Sequence, residues 1–252
     1  MHRDVYPAVD PSNPSLSAQG KTILINGAAG TLGQAVAEAW ATASASCIIL
    51  TGRTLSTLTS VSHTLSSISP STNVVRTVDT KDAAQQNIVV TTIVDAAGAL
   101  TEAVTGTIPP AQWFDDFVAD VLAPYHLAHY MMTAYGDAAG TFIVLGSLAA
   151  GVVLPGLSSY SAAKLSGECE ECDDDGVSFA VCEGYGGVDG GVWTLFLSTE
   201  RAEFLKGGIL NVNWDVEEME QHKEEIVGKG LLQLAFVKAQ LSPAGHPFES
   251  KA

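Results

Sequence analysis

The chain has 252 residues, 46% hydrophobic and 16% charged, which suits one folded α/β domain with a sizeable core and excludes wholesale disorder. It carries 28 acidic against 12 basic side chains, a net charge of −16. That field repels nucleic-acid backbones and anionic lipid, whereas a nucleotide cofactor needs only local N–H groups and a few basic side chains.

Residues 1–19 are polar and marked by prolines 7, 11 and 14. They read as an extended N-terminal arm ahead of a Rossmann-type domain over residues 20–252. The arm has no apolar segment of the signal-peptide kind. Residues 138–163 are uncharged but broken by glycines and Pro155, against a spanning helix. Four cysteines in a chain this long suggest no disulfide scaffold, so a reducing, cytoplasmic setting is expected.

Lys21 to Asn26 reads as a buried strand. Gly27-Ala-Ala-Gly30-Thr-Leu-Gly33 follows as a glycine turn, then an Ala-rich amphipathic helix to Ala45. Strand, turn and helix in that order open a dinucleotide-binding βαβ unit, in which the helix N-terminus meets a pyrophosphate. Cys47 to Thr51 is a second strand, tipped by Gly52 and Arg53. A basic residue there favours the 2′-phosphate of NADP(H) over a bare ribose hydroxyl.

Thr54 to Ile68 patterns as a helix, and Asn73–Val78 and Ile88–Val94 as strands. The link between those strands has room for about two helical turns at most. Trp113 to Tyr135 is a long helix, with Trp113, Phe117, Val121 and Leu122 expected on its core face. Thr141 to Leu145 is a strand that delivers Ser147. Alternating strands and helices predict a doubly wound parallel sheet, a Rossmann-like α/β fold, with ligands at the carboxyl ends of its strands.

Tyr160 and Lys164 are four apart and so share a helix face. An ammonium beside a phenol favours the phenolate, and a hydroxyl such as Ser147 can hold the oxygen at which the proton moves. The carrying helix runs into Gly167 and an acidic stretch, which limits it to about three turns. Cys169-x-x-Cys172 among acids is half a zinc site at best, and His126 and His129 read as surface residues, so no metal is expected. Gly184 to Gly191 follows a strand over Val177–Cys182 and reads as a loop; it lacks the ending of a P-loop. A helix over Trp193–Leu205, a strand over Ile209–Val212, a Glu-rich helix over Asp215–Val227 and an apolar stretch over Leu231–Val237 complete the pattern.

These residues resemble the short-chain dehydrogenase/reductase family. The matches are the first glycine turn, Asp79, Asp95-Ala-Ala-Gly98, and Ser147 with Tyr160 and Lys164 at the family's spacing. The arm and Asn213-Trp-Asp-Val216 look like a fungal subgroup often found in secondary metabolism. The resemblance implies that Ser147, Tyr160, Lys164 and Asp120 (at the family's asparagine position) are catalytic. It implies that Gly27, Gly30, Thr31, Leu32, Gly33, Arg53, Asp79, Ala96, Ala97, Gly98, Tyr160 and Lys164 bind NADP(H). The implied activity interconverts a carbonyl and an alcohol on a small or polycyclic, secondary-metabolite-like substrate. A homo-oligomer fits the family too.

Three departures qualify the resemblance. Thr31 stands where the family has its second turn glycine. Asp120 cannot donate as an asparagine does when it is ionised. Few residues lie between Gly184 and Trp193, where the family carries a substrate lid, which predicts an open site. Two other readings follow: a scaffold doing non-redox isomerisation or cyclisation, and a vestigial cofactor-binding interaction protein.

Overall fold

The computed structural model describes residue 2 and residues 4–77, 89–135, 140–152, 154–168, 178–183 and 187–232. Among the described residues seven strands form one sheet: β1 (Thr22–Asn26), β2 (Cys47–Thr51), β3 (Asn73–Thr77), β4 (Thr92–Asp95), β5 (Thr141–Leu145), β6 (Ser178–Glu183) and β7 (Ile209–Asn211). Their order is β3-β2-β1-β4-β5-β6-β7, and every pairing is parallel. Ile23, Leu24 and Ile25 of the central strand are fully buried, so both faces of the sheet are covered, as a parallel sheet requires. The fold is Rossmann-like.

The helices are α1 (Thr31–Thr42), α2 (Leu55–Ile68), α3 (Pro110–Phe117), α4 (Ala123–Tyr135), α5 (Ser158–Glu168), α6 (Gly187–Leu197), α7 (Val216–Gln221) and α8 (Lys223–Lys229). A π-helical turn (Val118–Leu122) joins α3 to α4. Residues 78–88, the link whose helix reads as nearly absent, lie outside the described residues, as do Asp79, Cys169, Cys172 and most of the stretch after Leu231.

Five expectations are corrected. The α3–α4 helix turns Asp116, Asp120, Leu127, Ala128 and Met131 inward, while Leu122 is 46% exposed and Trp113, Phe117 and Val121 are half-buried. The π turn shifts the inward stripe, and two aspartates occupy places where apolar residues were expected. Gly187 to Gly191 is helix, not loop. A Cβ on Gly191 would lie 2.6 Å from the Ala35 carbonyl oxygen, so the glycine serves close packing of α6 on α1. The helix expected to run to Leu205 ends at Leu197, and a 3-10 turn (Glu200–Leu205) follows; the Glu-rich helix breaks at His222 into α7 and α8.

The fifth correction is the arm, which is compact rather than extended. A 3-10 turn (Pro14–Leu16), capped by Asn13, sits in it, and Val9, Leu16 and Ala18 join the core around Trp40. Its tip docks beyond β7. His2 exchanges backbone and side-chain bonds with Asn213 and pairs with Asp215 at 2.7 Å. Tyr6, stacked on His2, donates to the Trp214 carbonyl and accepts from the Val216 N–H. Burial raises the Tyr6 phenol to about 12.

The carboxyl ends of the central strands are tied side to side. Thr51 Oγ1 lies 3.1 Å from Asn26 Oδ1, and Asn26 Nδ2 donates to Asp95 Oδ1 at 2.9 Å. Asp95 is 2% exposed. Burial lifts its carboxyl from 3.8 to about 6; the bonds from Asn26 and Ala97 and the Lys164 charge pull the other way, and Asp120 adds to the rise.

Two outcomes are expected. Tyr6→Phe leaves the Val216 N–H and the Trp214 carbonyl without their partner and lowers unfolding stability by about 1–2 kcal/mol in a denaturant titration. For Asp95 the folded pKa is the raised one, so the folded state binds more protons than the unfolded state and stability falls as pH rises between 3.8 and about 6. Asp95→Asn removes that slope. Its advantage over the native protein, absent near pH 4, grows to roughly 2–3 kcal/mol above pH 6 in unfolding measured across pH.

Candidate active site

The strand ends and the start of α1 enclose a cleft of about 280 Å³. It is lined by Gly30, Thr31, Leu32, Ala96, Ala97, Gly98, Ala99, Leu100, Leu145, Gly146, Tyr160 and Lys164. Gly27 adopts φ +71° to turn the chain from β1 into α1, where a Cβ would meet Ala97. Gly30 is the N-cap of α1, so the first N–H groups of the helix have no intrahelical acceptor, and Gly30, Thr31 and Leu32 line the cleft. Thr31 is an exposed rim residue there.

Helix α5 supplies Tyr160 and Lys164. Its start is fastened to α3: Trp113 Nε1 donates to Ser158 Oγ at 3.1 Å, and Ser159 Oγ donates to the Trp113 carbonyl. Lys164 is 7% exposed. Its Nζ donates to the Leu145 carbonyl at 3.0 Å and lies 3.0 Å from Asp120 Oδ1 and 5.9 Å from the Tyr160 ring centroid. The ammonium therefore sits between the buried carboxylate and the phenol ring.

Asp120, in the π turn, is 3% exposed. Burial raises its carboxyl, while Lys164 and the Ala99 N–H, which donates to Oδ2 at 3.3 Å, hold it down. It lies beneath the cleft wall. A Cβ on Gly98 would stand 2.9 Å from Asp120 Oδ1, and one on Gly167 would stand 2.7 Å from its carbonyl oxygen. Those two glycines let the wall and α5 close on the aspartate.

Of the expected site residues, the cleft gathers Gly30, Thr31, Leu32, Ala96, Ala97, Gly98, Tyr160 and Lys164. Gly27 and Gly33 form the turn behind it. Ser147 follows Gly146 and caps a 3-10 turn (Leu148–Ala150) by accepting the Ala149 N–H at 3.2 Å. Arg53 is exposed just beyond β2. Asp79 lies outside the described residues. Sequence reasoning missed Asp116, which is fully buried one helical turn before Asp120 and bonded to Thr101. Its spacing of four from Asp120, which puts both carboxylates on one helix face, is the signal that could have found it. Among the described residues no group of acids, histidines and cysteines could hold a metal ion. No described helix is long and apolar enough to cross a membrane.

The family model for short chain dehydrogenases matches residues 21–168. The chain is 25% identical over 284 aligned residues to the short chain dehydrogenase pigC of Monascus ruber, spanning 94% of this chain and 92% of that protein. Among solved structures, a 3-oxoacyl-[acyl-carrier protein] reductase from Brucella melitensis superposes with a TM-score of 0.73 at 16% identity, over 84% of this chain and 96% of that one. A 7α-hydroxysteroid dehydrogenase, solved with NADH and 7-oxo glycochenodeoxycholic acid, superposes with a TM-score of 0.71 at 16% identity, over 79% and 95% of the two chains. The matched segment is more than half of the sequence and contains the glycine turn, the cleft wall and the Tyr160–Lys164 helix, so the chain belongs to the short chain dehydrogenase family.

Proposed function

We propose that the protein is an NADP(H)-dependent oxidoreductase that interconverts a carbonyl and an alcohol on a small or polycyclic, secondary-metabolite-like substrate. The observation that carries this reading is that Tyr160 and Lys164 share one cleft with the start of α1. The donor set fits a dinucleotide. The free N–H groups at the head of α1 suit a pyrophosphate, and Lys164 suits a ribose hydroxyl. Arg53 at the tip of β2 suits a 2′-phosphate, which is the ground for NADP(H) over NAD(H). When bound, such a cofactor supplies or accepts the hydride.

This chain's own residues then handle the substrate oxygen. Ser147 holds it, and Tyr160 gives or takes the proton there. Lys164 keeps a positive charge beside the phenol, and Asp120 and the Leu145 carbonyl fix the ammonium in place. The hydroxysteroid dehydrogenase with its bound bile-acid ketone supports a polycyclic occupant on this fold. Only residues 184–186 separate β6 from α6, in keeping with an open cleft.

The reading is tested by fluorescence titration with NADPH and NADH and by turnover of a carbonyl panel. Absence of binding at millimolar dinucleotide overturns it. Turnover without net change in NADPH supports the isomerase reading instead. Tyr160→Phe is expected to cut turnover about 10²–10⁴-fold with cofactor affinity retained, measured by NADPH absorbance and by titration. Arg53→Ala is expected to weaken NADPH about tenfold and leave NADH unchanged, since it removes one charge-assisted contact to the 2′-phosphate.

A further inference from the structure

The segment after β4 behaves as a strand edge that has a helix for a partner. From residue 97 to residue 104 exposure alternates, with odd-numbered residues half-buried and even-numbered ones exposed. The odd-numbered N–H groups point inward, and carboxylates take three of them. Ala97 donates to Asp95 Oδ1 at 3.1 Å, Ala99 to Asp120 Oδ2 at 3.3 Å, and Thr101 to Asp116 Oδ2 at 3.1 Å. The Thr101 hydroxyl also donates to Asp116 Oδ1 at 2.8 Å, and Ala103 N–H then meets the Gly156 carbonyl at 2.8 Å.

The two helix-borne carboxylates match this edge by spacing. Four residues of helix advance about 6 Å, and two residues of strand about 6.6 Å. Asp120 and Asp116 therefore meet N–H groups two residues apart, the helix running against the strand. The same segment, from Ala96 to Leu100, lines the cleft.

We propose that Asp116 is a positioning residue that fixes the cleft wall over Ala97–Ala103 for ligand binding. It touches neither cofactor nor substrate. Asp120 is tied to Lys164, so Asp116 is the carboxylate on this helix given wholly to the wall. The inference rests on the reading of the cleft as the dinucleotide and substrate site.

The test compares the native chain with Asp116→Ala, Asp116→Asn, Thr101→Val and a remote control, Leu65→Ala in the buried face of α2. Two readouts are taken: amide hydrogen exchange over residues 96–104, and NADPH affinity by fluorescence titration. Asp116→Ala is expected to speed exchange there about tenfold or more and to weaken NADPH about tenfold. Asp116→Asn can accept the Thr101 N–H and donate to its hydroxyl, and should hold both within about threefold. Thr101→Val keeps the N–H bond and should fall between; it carries the test if Asp116→Ala does not fold. Leu65→Ala should lower the thermal midpoint without a local change in exchange. The proposal is overturned if Asp116→Ala loosens the segment no more than Leu65→Ala does, or if the asparagine fails as badly as the alanine. Should the native chain bind no dinucleotide, the cofactor reading falls, and the exchange comparison still decides the role of Asp116.

Discussion

The ammonium of Lys164 is where the elements of the site meet. It is carried by α5, donates to the last carbonyl of β5, and stands 3.0 Å from Asp120 in the π turn. Its charge also opposes the rise in Asp95 at the end of β4. Buried acids without a cation are expensive, and a buried cation without acids is no cheaper. Lys164 thus has a structural task before it has a chemical one: it offsets the cost of two carboxylates that the strand ends and the wall need. The site also inherits its rigidity from this arrangement, because α5 cannot shift without breaking contacts to β5 and to the π turn.

The π turn sets how the helix continues past its two inward-facing acids, Asp116 ahead of the turn and Asp120 within it. With the extra residue at 118–122, the stripe continues from Asp116 and Asp120 to Leu127, Ala128 and Met131 without strict periodicity. Gly98 on one side and Gly167 on the other admit the backbone close to Asp120. Side chains at either place would push the wall or α5 away and let water reach the ion pair, which would weaken it. Close approach, more than loop flexibility, is the use of glycine around this site.

Much of the fold was legible in the sequence because its signals are local. Ile23 to Ile25, Ile48 to Leu50 and Phe142 to Leu145 are short apolar runs, and the glycine turn sits between a strand and a helix, so the parallel sheet follows from the pattern alone. Tyr160 and Lys164 were legible from spacing on one helix. What was not legible depends on contacts distant in sequence. Trp113 and Phe117 looked like core residues, but only the pairing of Trp113 with Ser158 and Ser159 shows why Trp113 sits at the margin. Asp116 drew no reading at all, because its partner Thr101 lies fifteen residues away in sequence. Gly187 to Gly191 looked like a loop because composition does not reveal that Ala35 lies 2.6 Å from where a Cβ would stand on Gly191. The compact arm depends likewise on residues more than two hundred positions away, at 213–216.

The placement of the acids also reconciles a strongly acidic chain with a cleft suited to an anionic cofactor. With a net charge of −16, the long-range field opposes a dinucleotide phosphate. None of the described residues that line the cleft is acidic, and Lys164 is among them. Asp95, Asp116 and Asp120 lie behind the wall, where each carboxylate accepts a backbone N–H from it. Those N–H dipoles and the one ammonium take up the negative charge at short range, where the local dielectric is low and interactions are strong. What faces the ligand is the head of α1, a backbone edge, a phenol and an ammonium. The same carboxylates that shape the wall are thereby kept from repelling what the wall is shaped to hold.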